Sequence, residues 1–439
     1  MITKENKDLA VWAMEYALQQ GCQASRVTIY NASSNSVDVR DMKIDNLQQT
    51  SEYSLLVHLF VDGRFGSYST NRLDRNELES FIAKGVRATR FLSKDEARTL
   101  PDSSLYYKGG GEDLLLFDPT FETVSPDQRI ELAMQVCEEV MGKDARVIST
   151  NSSYGDSEVF KYMVVSNGFE GEAAENSFSL SANVCVRGDG EARPQDFWYD
   201  SSLFYADLQK TGIGAKALER TLRKLGQKKI SSGKYVMLAD NFNSARMFSP
   251  LVQAMYGSSI QQRCSFLLDK LNTKIVGENV SLKDAPHMLK TAGARYFDSE
   301  GIATRPRSII EKGVLNTYFI DTYAANKMNV LPTIGGPSVL TMDCGVRNAE
   351  DIIKDIDKGI YVVGLNGGNC NSTSGDFSYG IEGFLIEKGE LTQPISEMNI
   401  TGNILNLNSH ILEIGNDYRT TSSWRIPSLL FDQVDFSGF

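Results

Sequence analysis

The spacing of apolar residues predicts that the chain opens with a helix followed by antiparallel strands. Apolar side chains recur at helical spacing and stop at Gly21, and these residues are Leu9, Trp12, Ala13, Tyr16 and Ala17. Alternating or β-branched runs between Asn, Ser, Asp and Gly turns predict strands over residues 26–30, 36–40, 54–61 and 66–70. Asp74 and Glu77 have the spacing of a capping box, so a second helix is predicted to begin there.

The same order of elements recurs in the next hundred residues. Ser125, Pro126 and Gln128 predict the start of another helix, and strands are predicted around residues 158–166 and 177–187. A further helix is predicted to end at Gly226. Although the two halves do not match residue for residue, this order predicts an α+β domain of repeated helix and antiparallel-sheet units.

A short Ser-Ser-Gly segment at residues 231–233 marks the predicted boundary between two domains. We therefore predict an N-terminal α+β domain over residues 1–232 and a C-terminal, β-rich mixed domain over residues 233–439. The second domain is predicted to open with a buried strand at residues 235–239, followed by a helix from about Ser244. Its remaining strands are expected to be mainly antiparallel.

Composition and charge exclude several classes of partner. The 439-residue chain has a net charge of −11, which would repel a nucleic-acid backbone, so we expect no direct contact with nucleic acid. Its apolar run at residues 55–61 is far shorter than the roughly 20 residues that span a bilayer, so no membrane segment is expected. The polar N-terminus lacks the pattern of an export signal, and the six cysteines form no C-x-x-C pair. We expect a cytoplasmic protein with reduced thiols.

The histidines exclude the common helical zinc motif. Only three occur, and the two closest, His287 and His410, are 123 positions apart. A zinc site of the H-E-x-x-H kind needs two histidines about one helical turn apart, with a glutamate as general base. The chain also lacks a G-x-S-x-G segment, so a serine hydrolase site is not indicated.

Several blocks in the C-terminal part resemble one known family. They are 297–305 (FDSEGIATR), 374–384 (SGDFSYGIEGF), 386–391 (IEKGEL), 400–403 (ITGN), 414–417 (IGND) and 426–430 (IPSLL). Their sequence and order strongly resemble the TldD/PmbA family, whose catalytic members carry a helical H-E-x-x-x-H zinc motif. The matching helix here has Phe248, Ser249 and Gln253 in place of the two histidines and the glutamate. The cysteine ligand that catalytic relatives supply near the C-terminus is also missing from residues 418–426.

The resemblance implies a subunit without its own metal. It points to the PmbA (TldE) branch, and hence to a non-catalytic subunit of a heterodimeric metallopeptidase that processes or degrades small unfolded peptides. We expect zinc only in a TldD-like catalytic partner and none as a cofactor of this chain, and a homodimer when the chain is isolated.

Two alternatives remain open at this point. The first is an autonomous metallopeptidase or hydrolase, with a metal recruited by scattered side chains: Cys264, Cys344, Cys370, His287 and His410. The second is a modulator of DNA gyrase, a label used for the family, which would act indirectly because the chain is acidic.

Candidate peptide-binding residues lie in two of the family blocks. We expect Asp298, Glu300, Asp376 and Glu382 as acidic groups that line a cleft, although Asp298 and Asp376 could instead bond backbone amides in turns. Residues 364–383 contain six glycines, which would let a peptide approach the backbone and pair with it as an added strand. Gly375, Phe377 and Gly380 are therefore further candidates, and bulk at either glycine should reduce peptide cleavage by the heterodimer.

Overall fold

The computed structural model describes residues 1–438 and confirms the predicted α+β class. The first half contains two successive units in which three strands are flanked by two helices. The first unit consists of α1 (Lys4–Gln19), β1 (Ala24–Arg40), β2 (Lys43–Val61), β3 (Arg64–Thr70) and α2 (Arg75–Thr89). The second consists of α3 (Pro126–Glu138), β4 (Val147–Val165), β5 (Phe169–Val186), β6 (Gln195–Ser202) and α4 (Ile213–Arg223). The predicted repetition of helix and sheet units is confirmed.

The two units share one antiparallel sheet with the order β3-β2-β1-β4-β5-β6. β1 pairs with β4 along almost its whole length, so the units join at the centre of the sheet. One end of β1 gives Val27 and Ile29 to a core under α1 and α2. The other end gives Val37 and Val39 to a second core under α3 and α4.

The predicted turn at residues 31–35 is wrong, because β1 runs through it without a break. These residues pair with β2 on one side and β4 on the other, so their backbone groups are satisfied in a strand. The polar side chains also find partners, since Ser33 donates to Glu158 (2.8 Å) and Asn35 donates to Asp156 (2.8 Å). The apolar segments 26–30 and 36–40 are therefore the two ends of one strand.

Helix starts follow the predicted capping chemistry. Ser125 and Gln128 form the reciprocal capping box at the start of α3, with N–O distances of 3.2 and 2.8 Å. At α2, Asp74 alone caps the helix by accepting hydrogen bonds from the amides of Asn76 and Glu77. Between α2 and α3, the chain forms short 3-10 helices at Ser103–Leu105 and Phe121–Thr123.

The second half of the chain builds two sheets with short helices between the strands. Its first elements are β7 (Gly233–Ala239), α5 (Asn243–Ala254), α6 (Gly257–Gln261), β8 (Leu282–Asp284), β9 (Arg307–Glu311), β10 (Val314–Leu315), α7 (Thr322–Met328) and β11 (Leu340–Met342). The remaining elements are α8 (Ala349–Ile353), β12 (Lys358–Cys370), β13 (Asp376–Glu387), β14 (Glu390–Asn403), α9 (Ile404–Ser409), β15 (Ile411–Ile414), β16 (Trp424–Arg425) and β17 (Leu429–Ser437).

A barrel forms the centre of this half. The larger sheet has the order β14-β13-β12-β7-β17-β15, and a further pairing between β14 and β17 closes it. Its strand pairs are antiparallel except for β7 with β12, which is parallel. The smaller sheet has the order β10-β9-β8-β11-β16, with one parallel pair, β11 with β16. The β-rich mixed character predicted for this half is confirmed.

Segments outside the sheets connect the two halves. The loop after α2 places Tyr107 against Tyr296 with 5.3 Å between ring centroids, and Tyr106 forms an isolated β-bridge with Ile302. Throughout residues 1–438, the helices are too short or too polar to cross a lipid bilayer.

Candidate functional site

Helix α5, which carries residues 248–253, has one apolar and one polar face. Met247, Phe248, Leu251 and Val252 are fully buried in the main core of the second half. Ser249 and Gln253 lie one turn apart on the other face and are joined by a 3.1 Å hydrogen bond from Gln253 to Ser249. The helix continues through Pro250 to Ala254. Its polar face is therefore the part available to a ligand.

A cavity of about 350 Å³ separates this polar face from the β12–β13 hairpin. On the helix side it is lined by Arg246, Ser249, Pro250 and Gln253, and on the hairpin side by Leu365, Gly368, Asn369, Cys370, Ser372 and Tyr379. Burial raises the pKa of Tyr379 to about 12, so its hydroxyl stays protonated near neutral pH. The structure thus places the motif helix and the glycine-rich segment on opposite walls of one cavity.

A second cavity of about 460 Å³ continues from the first and shares Arg246 and Leu365 with it. One wall consists of residues 195–199 of β6, the last strand of its sheet. Residues 363–366 of β12 form the facing wall. We call the two cavities together the interdomain groove.

The backbone of β12 is open on the side that faces the groove. β12 pairs with β7 on this side only as far as Val362. Beyond Val362 it pairs only with β13, on its other side. Arg246 donates a 2.9 Å hydrogen bond to the carbonyl of Leu365, which shows that this edge points towards α5. An extended chain in the groove would therefore lie beside a strand edge that has no neighbouring strand beyond Val362, where Arg246 holds the carbonyl of Leu365.

The hairpin glycines have a structural reason of their own. A Cβ atom at Gly380 would lie 2.4 Å from the carbonyl oxygen of Asn366, and one at Gly368 would lie 2.0 Å from that of Ser378. Gly375 has a φ of +81° and packs against Phe266. These glycines let β12 and β13 approach each other, so a bulky residue at Gly375 or Gly380 is expected to disrupt the hairpin itself.

Asp298 and Glu300 lie away from the groove, in the loop that packs against the first half. Asp298 is buried and accepts hydrogen bonds from the amides of Glu300 (2.8 Å) and Ile302 (3.0 Å). Glu300 accepts two 2.9 Å bonds from the amide and hydroxyl of Thr322. Burial raises the pKa of Glu300, and Asp298 raises it further. Neither residue lines either cavity of the groove.

The other candidates lie on β13, with different surroundings. Asp376 closes the hairpin turn by accepting bonds from Ser374 (2.7 Å) and Asn403 (3.0 Å). Phe377 is buried and lines a separate cavity of about 370 Å³ beside α9. Glu382 lines the groove, where it pairs with Lys224 at 2.5 Å.

An ion cluster joins the two halves at the groove. Lys224, at the end of α4, contacts Asp196 of β6 (3.2 Å) and Glu382 of β13 (2.5 Å). Arg220 also contacts Asp196, at 3.3 Å. The side chains of Lys224 and Asp196 are 8% and 5% exposed, so water screens these charges weakly. The negative charge of Glu382 is thus balanced by Lys224 of the same chain.

Sequence reasoning missed the wall that the first half contributes. β6 was not predicted as a strand, although its consecutive aromatic residues Phe197, Trp198 and Tyr199 are typical of one. Arg246 and Phe242 were also missed, because the sequence pattern does not show that α5 faces β6 across a gap.

Comparison with protein families matches three successive domains of one family. Residues 27–89 match PmbA/TldA metallopeptidase domain 1, residues 119–225 match the central domain, and residues 232–438 match the C-terminal domain. The chain is also 29% identical over 422 residues to the metalloprotease PmbA of Escherichia coli O157:H7, which covers 94% of this chain and 92% of that protein.

This chain belongs to the PmbA/TldD family.

Solved structures agree with this assignment. A candidate modulator of DNA gyrase from Bacteroides thetaiotaomicron is 59% identical, with a TM-score of 0.98 and complete coverage of both chains. TldE from Thermococcus kodakarensis has the same fold, with a TM-score of 0.86 at 20% identity over 98% of this chain and 100% of that one. The chain therefore has the same fold as these two proteins.

The residues at the zinc positions of the PmbA/TldD motif do not fit a zinc ion. Phe248 points into the core, and a hydroxyl and an amide are poor zinc ligands beside imidazole or thiolate. Within the described part of the chain, no three His, Cys, Asp or Glu side chains cluster as metal ligands would. His287 instead contacts Thr304 (3.1 Å), and His410 contacts the carbonyl of Asn406 (2.7 Å).

Proposed function

We propose that this chain is a metal-free subunit of a PmbA/TldD-type peptidase and that it binds unfolded peptide in the interdomain groove. The zinc and the bond cleavage would come from a TldD-like catalytic partner. The observation that carries the proposal is the open edge of β12 opposite the polar face of α5. Peptide added to a strand edge gains main-chain hydrogen bonds whatever its sequence, which suits a subunit that handles varied unfolded peptides.

Several features support a binding role without catalysis. The groove offers Ser249, Gln253, Asn369 and Tyr379 as hydrogen-bonding groups, none of which is a strong general base at neutral pH. Its two acidic residues, Asp196 and Glu382, are already paired with cations of this chain. Binding and enclosure of peptide therefore fit this site better than water activation.

The assembly belongs to the same proposal. We expect a homodimer when the chain is isolated and a heterodimer when the catalytic relative is present. This chain has the fold of TldE, and its family includes TldD, which supports a partner of the TldD type. The alternative role as a modulator of DNA gyrase would be indirect, because the net charge of −11 disfavours direct contact with DNA.

Substitution Gln253→Trp tests the proposed groove. Gln253 is exposed on α5, so a tryptophan should fill the cavity without disturbing the core. We expect peptide cleavage by the heterodimer to fall about tenfold or more, a loss of about 1.4 kcal/mol or more in peptide binding. The partner's zinc content and heterodimer formation should not change.

Gln19→Trp is the matched control, because Gln19 is an exposed glutamine at the end of α1 and lies outside the groove. The two variants should fold equally well by circular dichroism. Equal, unreduced cleavage by both heterodimers would contradict peptide binding in the groove.

A further inference from the structure

The charges of the interdomain groove leave one arginine without a counter-ion. The charged residues of the larger cavity are Asp196, Arg220, Lys224, Arg246 and Glu382. Four of them form the ion cluster described above. Among residues 1–438, Arg246 forms no ion pair, and one of its terminal nitrogens donates a hydrogen bond to the carbonyl oxygen of Leu365.

Arg246 occupies a central place in the groove. It lines both cavities, so it lies where the polar space beside Ser249 and Gln253 meets the space beside β6. Its guanidinium carries five N–H donors in a fork that matches the two oxygens of a carboxylate. With one donor used by Leu365, the others can serve a ligand.

Aromatic side chains cover the neighbouring wall. Trp198 and Tyr199 lie 5.3 and 5.6 Å from Phe242, measured between ring centroids, and all three line the larger cavity. Phe197 lines it as well and is 48% exposed. Arg419 lies over the rings of Tyr199 and Phe242, 4.4 and 3.7 Å from their centroids, so Phe197 is the aromatic surface left open to a ligand. Exposed aromatic surface beside a cavity is a common feature of sites that accept large apolar side chains.

Taken together, these features describe one kind of peptide. We infer that the groove binds an extended peptide through a carboxylate at Arg246 and an adjacent large apolar side chain on the Phe197 wall. The inference rests on the proposed function and specifies its substrate class. The carboxylate is either the C-terminus of the peptide or an Asp or Glu side chain, since both present the same two oxygens. The strand edges of β6 and β12 hold the intervening backbone.

Binding of labelled peptides to the full-length chain tests this inference. The first pair is fluorescein-Gly-Ala-Ala-Ala-Phe with a free C-terminal carboxylate and the same peptide with a C-terminal amide. A third peptide, with Glu before an amidated Phe, presents the carboxylate on a side chain. A fourth replaces Phe with Ala and keeps the free carboxylate. Fluorescence anisotropy gives the dissociation constant of each.

The wild-type chain should bind at least one carboxylate peptide about tenfold more tightly than the amide. The reason is the charge-assisted hydrogen bond between the peptide carboxylate and Arg246. The C-terminal and Glu peptides show which source of carboxylate is preferred. Arg246→Gln should remove this preference, and Phe197→Ser should remove the preference for Phe over Ala. Arg87→Gln, at an exposed arginine of α2, is the matched control and should behave as wild type.

The outcomes separate this inference from the proposed function. If wild type and Arg246→Gln bind acid and amide peptides alike while Gln253→Trp abolishes binding, the groove binds peptide but the carboxylate site is wrong. If no peptide binds the chain, either alone or within the heterodimer, both the inference and the proposed function fail.

Discussion

At the residue scale, the two faces of α5 have different surroundings. Ser249 and Gln253 hydrogen-bond to each other across one turn, so this face remains polar without a metal. The side chain of Phe248 is fully buried in the core. Restoring single ligands should therefore not restore a zinc site, because the first position does not face the cavity.

Glu300 is a residue whose protonation should affect stability. Burial raises the pKa of its carboxyl in the folded chain, so the ionised form costs more there than in the unfolded chain. The Glu300 carboxyl makes its full contribution to the free energy of unfolding below the unfolded pKa of about 4.3, where it is protonated in both states. This contribution is lost as the pH rises through the folded pKa. Glu300→Gln does not titrate and can still accept from Thr322 through its amide oxygen.

We therefore predict that Glu300→Gln becomes more stable relative to wild type as the pH rises from 4 to 8. Urea denaturation at a series of pH values measures the difference in free energy of unfolding. Glu122→Gln, at an exposed glutamate, is the control. For each variant, the difference in free energy of unfolding from wild type is plotted against pH. If the two plots are parallel, burial of Glu300 does not make stability depend on pH.

At the element scale, a buried ion cluster joins α4, β6 and β13 at the groove. Lys224 extends from the end of α4 and holds an acidic residue from each half of the chain. Removing one partner from a buried ion pair leaves an uncompensated charge, which is more costly than the pair itself is stabilising.

Lys224→Met should lower the free energy of unfolding by about 3 kcal/mol, because Glu382 loses its cation and Asp196 keeps only Arg220. Methionine preserves most of the aliphatic packing. Lys216→Met is the control on the same helix, where an exposed pair with Glu219 should contribute about 1 kcal/mol or less. Chemical denaturation measures both, and equal losses would contradict a special role for Lys224.

The elements also show what the sequence could and could not predict. Helix starts were predictable, since Ser125 and Gln128 act through local capping chemistry. The continuity of β1 was not, because its polar middle is held by strands that are distant in sequence. The strand β6 could have been predicted from its consecutive aromatic residues, but the groove that they line could not, because its facing wall comes from the other half.

At the scale of the whole molecule, the fold class could be predicted from the order of helices and strands, and the family from several sequence blocks in order. One of these blocks coincides with a close backbone contact. The block at 374–384 contains Gly380, where only glycine fits against the partner strand. The grouping of candidate residues could not be recognised in this way. Asp298 and Glu382 are both acidic and both belong to family blocks, yet one supports a loop and the other joins the two halves.

The central claim is that this chain contributes peptide binding, without metal, to a complex whose chemistry resides in a partner. The most direct measurement is zinc content together with peptide cleavage for three samples: the chain alone, a TldD-type partner alone, and the co-purified complex. The account predicts that the chain alone retains no stoichiometric zinc after dialysis and cleaves no unfolded peptide. The complex should contain zinc and cleave peptide. Stoichiometric zinc in the isolated chain that is lost on substitution of Cys264, Cys344 or Cys370, or failure of the two proteins to associate, would contradict it.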